Sequence, residues 1–326
     1  IGSLGPLGGI AGPAIGDSLS LGPGRGNVIS GNTQFGIDIS ANPPANVSAG
    51  VIARNIIGLG SDGTTPIPNS FSGISIRDFS ISDGGAPLLG VITIGGGLFL
   101  RNVISGNTQN GILASAVGLE IRGNKIGTDE PGNVARPNQI GINLFGGGAG
   151  NLARTATVDD NLICGNSTIG VRLAATTATL TNNRIGINQF FFPLPNNGFG
   201  VLVASSSATI GGTTFGTGNT IHSNGNTGVQ VENSSLFGTS SQAQIIGNSI
   251  ARNGSLTPAL GINLNVADQV TANDSGDPDI GPNLLQNFPV ITSATFDLAG
   301  DVTVNGTLNS TASTITQRRL TSIIGV

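Results

Sequence analysis

Charge is what this sequence lacks most. Only 9% of its 326 residues are Asp, Glu, Lys or Arg, Lys125 is the single lysine, and the formal net charge is −4. No basic stripe exists to follow a phosphate backbone, which argues against nucleic-acid binding. Met, Trp and Tyr are absent altogether. Without Trp or Tyr the usual sugar-stacking side chains are missing, and the absence of Met even at position 1 reads as a processed chain or an excised piece. One cysteine, Cys164, allows no disulfide within the chain and leaves the compartment open. No apolar run is long enough to span a bilayer as a helix, and the N-terminal IGSLGPLGGIAGPAIGD lacks the positive start of a secretion signal.

What remains is either small and polar or branched and apolar. The chain holds 53 Gly, Asn, Ser and Thr stand where charge would ordinarily meet solvent, and the mean hydropathy is +0.20. That is too apolar for a disordered chain. Ile, Val and Leu set among Gly and Asn describe many short strands separated by tight turns.

The stretch NVISGNTQFGIDIS, Asn27 to Ser40, returns as NVISGNTQNGILAS, Asn102 to Ser115. An active site needs one special place and a repeat makes equivalent ones, so the duplication speaks first of architecture. Registered on the Asn before an apolar pair, eight units appear at Asn27, Asn55, Asn102, Asn124, Asn161, Asn183, Asn219 and Asn248, each with Ile two residues later. Downstream of each comes Gly and an alternating stretch, from GIDI at Gly36 to GINL at Gly261. From the third unit onward a further alternating stretch precedes the Asn, such as VITI at Val91 and LEI at Leu119. A second Asn recurs five residues after the first, at Asn32, Asn107, Asn166, Asn224 and Asn253. Each unit thus predicts three short strands that cannot bury an apolar face alone. Stacked in parallel they form one column of Ile, with the Asn as ladders between coils. No segment shows a sustained helical period, so parallel strands without crossover helices must wind as a solenoid.

In this the chain resembles the right-handed parallel β-helix proteins of the pectate-lyase-like superfamily. NVISGN, and IGTDEPGN followed by PN and a GI strand, resemble the repeat arrays of large secreted bacterial surface proteins. The expected fold class is therefore all-β: a right-handed parallel β-helix of about eight coils across residues 20–265. An N-terminal cap or partial coil at 1–19 is expected, an Asp-rich linker at 266–289, and a C-terminal β segment, Ig-like or capping, at 290–326.

Loop lengths between the first Asn and the Gly alternate. Units one, three, five and seven need nine residues, whereas units two, four and six need 18, 17 and 17. Every second coil should push out a long loop at one corner, with Pro-Asn pairs at Pro68, Pro137 and Pro195 in matching places. The third of these loops carries Phe190, Phe191 and Phe192. Those rings either pack beneath the loop and on its neighbour or form a protein contact surface, with sugar stacking a weaker reading.

Candidate chemistry is sparse. The resemblance implies that members cleaving acidic polysaccharides use carboxylates, often with Ca²⁺, plus Arg or Lys on an outer face. The nearest counterpart is Arg122 and Asp159 in matching register, with Glu120 and Asp160 beside them and Lys125 just beyond. The plainer reading is a cross-strand ion pair on a solvated face. Asp274, Asp277 and Asp279 in NDSGDPDIGPN are either a Ca²⁺ loop or an Asx-rich turn. His222 and Cys164 fall at one rung position and read as tolerated substituents rather than base and nucleophile.

The favoured expectation is an extracellular or cell-surface structural or adhesive protein and not an enzyme. It would associate with itself, head to tail into filaments, or with neighbouring domains of a longer surface protein. The alternative is a carbohydrate-binding or polysaccharide-degrading β-helix protein with glycan partners. No membrane span and no cofactor beyond Ca²⁺ are expected.

Overall fold

The computed structural model describes residues 14–15, 26–41, 49–78, 90–97, 99–115, 118–146, 155–233, 241–256, 258–264, 270–297 and 302–309. Its strands assemble into three eight-stranded parallel sheets and one two-stranded antiparallel sheet. Each coil contributes one strand to each long sheet, so the chain winds as a solenoid. Sheet 1 runs from Ala14–Ile15 to Gln242–Ile246, sheet 2 from Val28–Ile29 to Ser249–Ala251, and sheet 3 from Ile37–Ala41 to Ile262–Asn263. Sheet 1 starts earlier than the sequence pattern suggests. Ala14–Ile15 and Gly50–Ile52 supply its first two strands, too short for alternation to be seen.

Sheet 2 is the narrowest, mostly two residues per strand, the first outward and the second inward. Ile57, Ile104, Ile126, Ile163, Ile185 and Ile221 are fully buried in one column, while Ile29 and Ile250 at its ends are partly covered. Full burial of such a side chain contributes about 1.5–3 kcal/mol. The sheet 1 strands run into sheet 2 through a turn whose residue before the ladder Asn is left-handed: Arg54 (φ 64), Gly123 (φ 65), Asp160 (φ 54), Asn182 (φ 53) and Gly247 (φ 70). Gly, Asn and Asp tolerate that region best, which accounts for Gly123, Asp160, Asn182 and Gly247 at this turn.

The ladder Asn following this turn holds three coils together. Asn124 donates its Nδ2 to Asn161 Oδ1 at 3.0 Å in the next coil and to the Ile94 carbonyl at 2.9 Å in the coil before, and its backbone N–H meets the same Asn161 oxygen. The pattern repeats from Asn27 to Asn248. The second ladder is fuller than the sequence spacing suggests. Asn69, Asn138 and Asn196, the Asn of the three Pro-Asn pairs, stand between its members, giving an unbroken chain of amides from Asn32 to Asn253. Long loops therefore leave the rung and return to it at this Asn.

Beside the second ladder lies a column of glycines. At Gly73, Gly111, Gly141, Gly170, Gly200 and Gly228 an added Cβ would sit 2.6–2.9 Å from the carbonyl of the next glycine in the column. Close backbone approach, not a left-handed turn, is the reason for Gly here.

Past the last coil, Asn283 docks on the outer edge of sheet 1. Its Nδ2 donates to the Ala243 carbonyl, its Oδ1 accepts from the Ala243 N–H, and its own N–H reaches Ser241 O. The antiparallel pair Val290–Phe296 and Val302–Thr307 follows. Among the described residues no helix is long and apolar enough to cross a membrane.

Candidate functional site

The three long loops are stacked, Asx-capped hairpins over the outer face of sheet 2. Isolated antiparallel bridges close them at Leu59 and Pro66, Thr128 and Ala135, and Ile187 and Pro193. Asp129 Oδ1 accepts from the Asn133 and Val134 N–H groups, and Asn188 Oδ1 from those of Phe190 and Phe192. In the first hairpin Asp62 does this work: the Thr65 hydroxyl and the Thr65 and Thr64 N–H groups hold its carboxyl well below the usual carboxylate range. The hairpins touch in series, Glu130 N–H to Gly63 O at 2.9 Å and Gln189 N–H to Gly132 O at 3.4 Å.

Between this row and the turns on the other side of sheet 2 runs a groove of about 640 Å³. Its floor is Val28, Ile56, Val103 and Lys125, with Asp62, Glu130 and Gln189 on the hairpin wall and Arg54, Phe99 and Arg101 opposite. Lys125 is only 12% exposed. Its ammonium meets the Glu130 carbonyl and lies 3.8 Å from the Glu130 carboxylate. Burial pushes the lysine down from its ordinary value, with Glu130 opposing and Arg101 adding to the shift. The buried Arg101 Nε makes no hydrogen bond, while its Nη2 lies 3.8 Å from Asp160. Three of the chain's 13 cations thus line one groove, and Phe99 at its rim is 73% exposed.

The five-residue cluster expected around Arg122 does not gather as one site. Arg122 and Asp159 are paired in register at 3.0 Å, and Thr181 completes the Asp159 carboxylate at 2.8 Å. Glu120 instead takes a hydrogen bond from Thr93 at 3.4 Å, Asp160 faces Arg101, and Lys125 faces Glu130. Each charge is spent on a different neighbour. Spacing places Lys125 correctly on an outward row, but Arg54, Phe99, Arg101 and Glu130 come from turns whose direction no strand alternation reveals.

Cys164 is fully buried where Ser30 and Ser105 clamp the following coil, and burial first, then Asp129, pushes its thiol up and keeps it protonated. His222 Nε2 lies 2.8 Å from Ser249 Oγ, and burial followed by Arg252 lowers its pKa. Phe190, Phe191 and Phe192 are 59%, 64% and 65% exposed, which corrects the reading that they pack beneath their loop. The hairpin tip is a sharp turn, with Phe191 left-handed at φ 66 and the Arg184 guanidinium 5.0 Å from its ring centroid.

Among the described residues no three His, Cys, Asp or Glu gather in a way that could hold a metal ion. Asn287, 4% exposed, is the hub of the Asp-rich loop: its Oδ1 accepts from Asp274 N–H at 3.0 Å, its Nδ2 reaches Asp274 O at 2.9 Å, and its N–H donates to Asp277 Oδ1 at 3.0 Å. We expect Asp277→Ala to loosen this loop by about 1–2 kcal/mol, seen as faster proteolytic cleavage between residues 270 and 290. A chelator should leave wild-type cleavage and melting unchanged. A chelator that reproduced the Asp277→Ala phenotype would instead place a cation among these carboxylates.

Comparison with curated proteins and with solved structures gives no match. The family described as the right-handed beta helix region matches residues 67–250, more than half of the chain and the greater part of both amide ladders. With three parallel sheets wound coil upon coil, the chain belongs to the right-handed β-helix family.

Proposed function

We propose that the protein is an extracellular structural or adhesive element, a stiff solenoid that holds exposed loops at fixed spacing. The observation carrying this reading is that both amide ladders run unbroken through the coils while the candidate acid and base groups are dispersed among separate partners. A sparsely charged chain rich in Asn, Ser and Thr and the family resemblance support an extracellular setting. The Phe190 to Phe192 tip is the adhesive element we assign, because three exposed aromatics on a rigid hairpin lose little entropy on contact.

Replacing all three with Ser is expected to leave the melting temperature unchanged while abolishing adhesion to the cell or matrix surface that retains the wild type. Incubation with a panel of uronate polysaccharides should produce neither unsaturated products nor new reducing ends. Turnover in that assay would overturn the structural reading.

A second reading, binding of an acidic glycan, is favoured by the groove alone, where Arg54, Arg101 and Lys125 converge beside Phe99. Its mark would be salt-sensitive binding of oligogalacturonate that Arg101→Gln removes, without cleavage.

A further inference from the structure

Lys125, the single lysine of the chain, is not set as a surface lysine. It stands in the outward column of sheet 2, in register with Val103, which is in register with Ile56, and these three form the floor of the groove. Its side chain is 12% exposed, and its ammonium bonds the Glu130 carbonyl with the Glu130 carboxylate 3.8 Å away. Burial favours the neutral amine, opposed by Glu130 and Asp129 and assisted by Arg101. A neutral amine still has N–H groups for that carbonyl and gains a lone pair, the state in which lysine is a nucleophile. On the facing wall Arg54 and Arg101 each precede a ladder Asn on successive coils, and Asp62 lies on the hairpin side. The Arg101 Nε has no hydrogen-bond partner among the described residues, and its Nη2 stands 3.8 Å from Asp160, beyond hydrogen-bond reach. An amine beside a carboxylate thus shares one groove with an arginine whose donors are under-used.

We propose that Lys125 is a reactive amine that forms an imine with an aldehyde carrying an anionic group, the anion held in this groove by Arg101. The ammonium passes one proton to the Glu130 carboxylate, and Nζ attacks the carbonyl carbon. A C–N bond forms, and a second proton moves from nitrogen to the former carbonyl oxygen. Glu130 then returns its proton to that oxygen, which leaves as water, and a protonated imine remains. Nothing is oxidised or reduced, so no co-reactant is needed. Val103 and Phe99 supply carbon surface for the chain between aldehyde and anion. The step goes beyond both readings above: adhesion through Phe190–Phe192 does not involve the groove, and glycan binding there makes no bond to Lys125.

Reductive trapping with cyanoborohydride on the whole chain tests it. The probes are succinic semialdehyde and butanal, aldehydes of equal carbon count with and without a carboxylate. Peptide mapping near neutral pH should find the semialdehyde adduct on Lys125, formed about tenfold or more faster than on a free lysine amide, because the amine is held neutral beside the bound carbonyl. The rate ratio of semialdehyde to butanal at Lys125 should exceed the ratio on the free amide, and Arg101→Gln should bring the two ratios together. Lys125→Arg, which keeps the cation, should remove the adduct. The two wild-type measurements decide the matter even where a variant fails to fold. Lys125 reacting no faster than the free amide, an equal ratio in wild type and free amide, or a raised ratio that survives in folded Arg101→Gln would each overturn the proposal.

Discussion

Replacing Asn161 with alanine is expected to lower the free energy of unfolding by about 3–5 kcal/mol, among the largest losses any single polar residue can produce here. Asn161 is 2% exposed. Its Oδ1 accepts from the Asn124 N–H at 2.9 Å and the Asn124 amide at 3.0 Å, while its own Nδ2 donates to Asn183 Oδ1 at 3.0 Å and to Ile121 O at 2.9 Å. Alanine strands donors in the coil before and acceptors on both sides. An unpaired buried group costs about 1–3 kcal/mol, and several are created at once. Ile163→Val, two residues on in the apolar column, removes one methylene and should cost only about 0.5–1.5 kcal/mol. Asn27→Ala is the internal control, because Asn27 begins the ladder and, among the described residues, its side chain donates only to Asn55. Stacked repeats need not unfold in one step, so urea unfolding should be paired with hydrogen exchange at the Asn124 amide, which loses its acceptor directly. If Asn161→Ala proved no more damaging than Asn27→Ala, the ladder would be a consequence of stacking rather than a cause of it.

The same ladder shows how far the sequence can be read. Fold class, unit count and the inward Ile column follow from spacing alone, because equivalent rungs must present equivalent surfaces and period-two alternation names the buried side. The second ladder was legible only in short coils. In long coils the chain leaves the rung for a hairpin, so Asn69, Asn138 and Asn196 fall out of phase with the Asn before them and are recovered by counting back from the Gly of the next strand. The groove was hardly legible at all. Lys125 is placed by its strand, but Phe99 and Arg101 lie on an excursion after Gly95, and Asp62 and Glu130 on hairpin tips, where direction depends on three-dimensional turns. For the Phe190–Phe192 tip the sequence leaves packing beneath the loop and a contact surface both open, because the choice depends on the hairpin: capped by Asn188, it has no interior to receive three rings. Asn283 and Asn287 carried no signal in a chain this rich in Asn, although they bind the C-terminal segment to the solenoid and to itself.

Gly170→Ala should be worse than its single added methyl group suggests. Gly170 has an ordinary backbone conformation, so the cost is not one of left-handed strain. It is steric: the new Cβ would stand 2.6 Å from the Gly200 carbonyl oxygen, 2.9 Å from the Asn196 amide nitrogen and 3.1 Å from Ile185 Cγ2. Two of those three neighbours are fixed, the carbonyl as backbone of the adjoining coil and the Asn196 amide as a member of the ladder, its Nδ2 donating to Asn224 Oδ1 at 2.9 Å and its Oδ1 accepting from Asn166 Nδ2 at 2.8 Å. Relief therefore requires the two coils to part, which stretches sheet 3 and the second ladder together. Overpacking in a tight core costs about 1–3 kcal/mol where side chains can yield, and with backbone as the obstacle the expected loss lies at or above the top of that range. Gly261→Ala supplies the comparison. It occupies the same place in the last coil, where the only atom of the described residues near an added Cβ is Ile250 Cγ2 at 3.5 Å, an ordinary contact. That variant should melt within a degree or two of wild type, whereas Gly170→Ala should lose many degrees or fail to accumulate folded. Equal melting of the two would mean that coils can separate freely at this corner, and the stiffness on which the proposed spacer role depends would go with it.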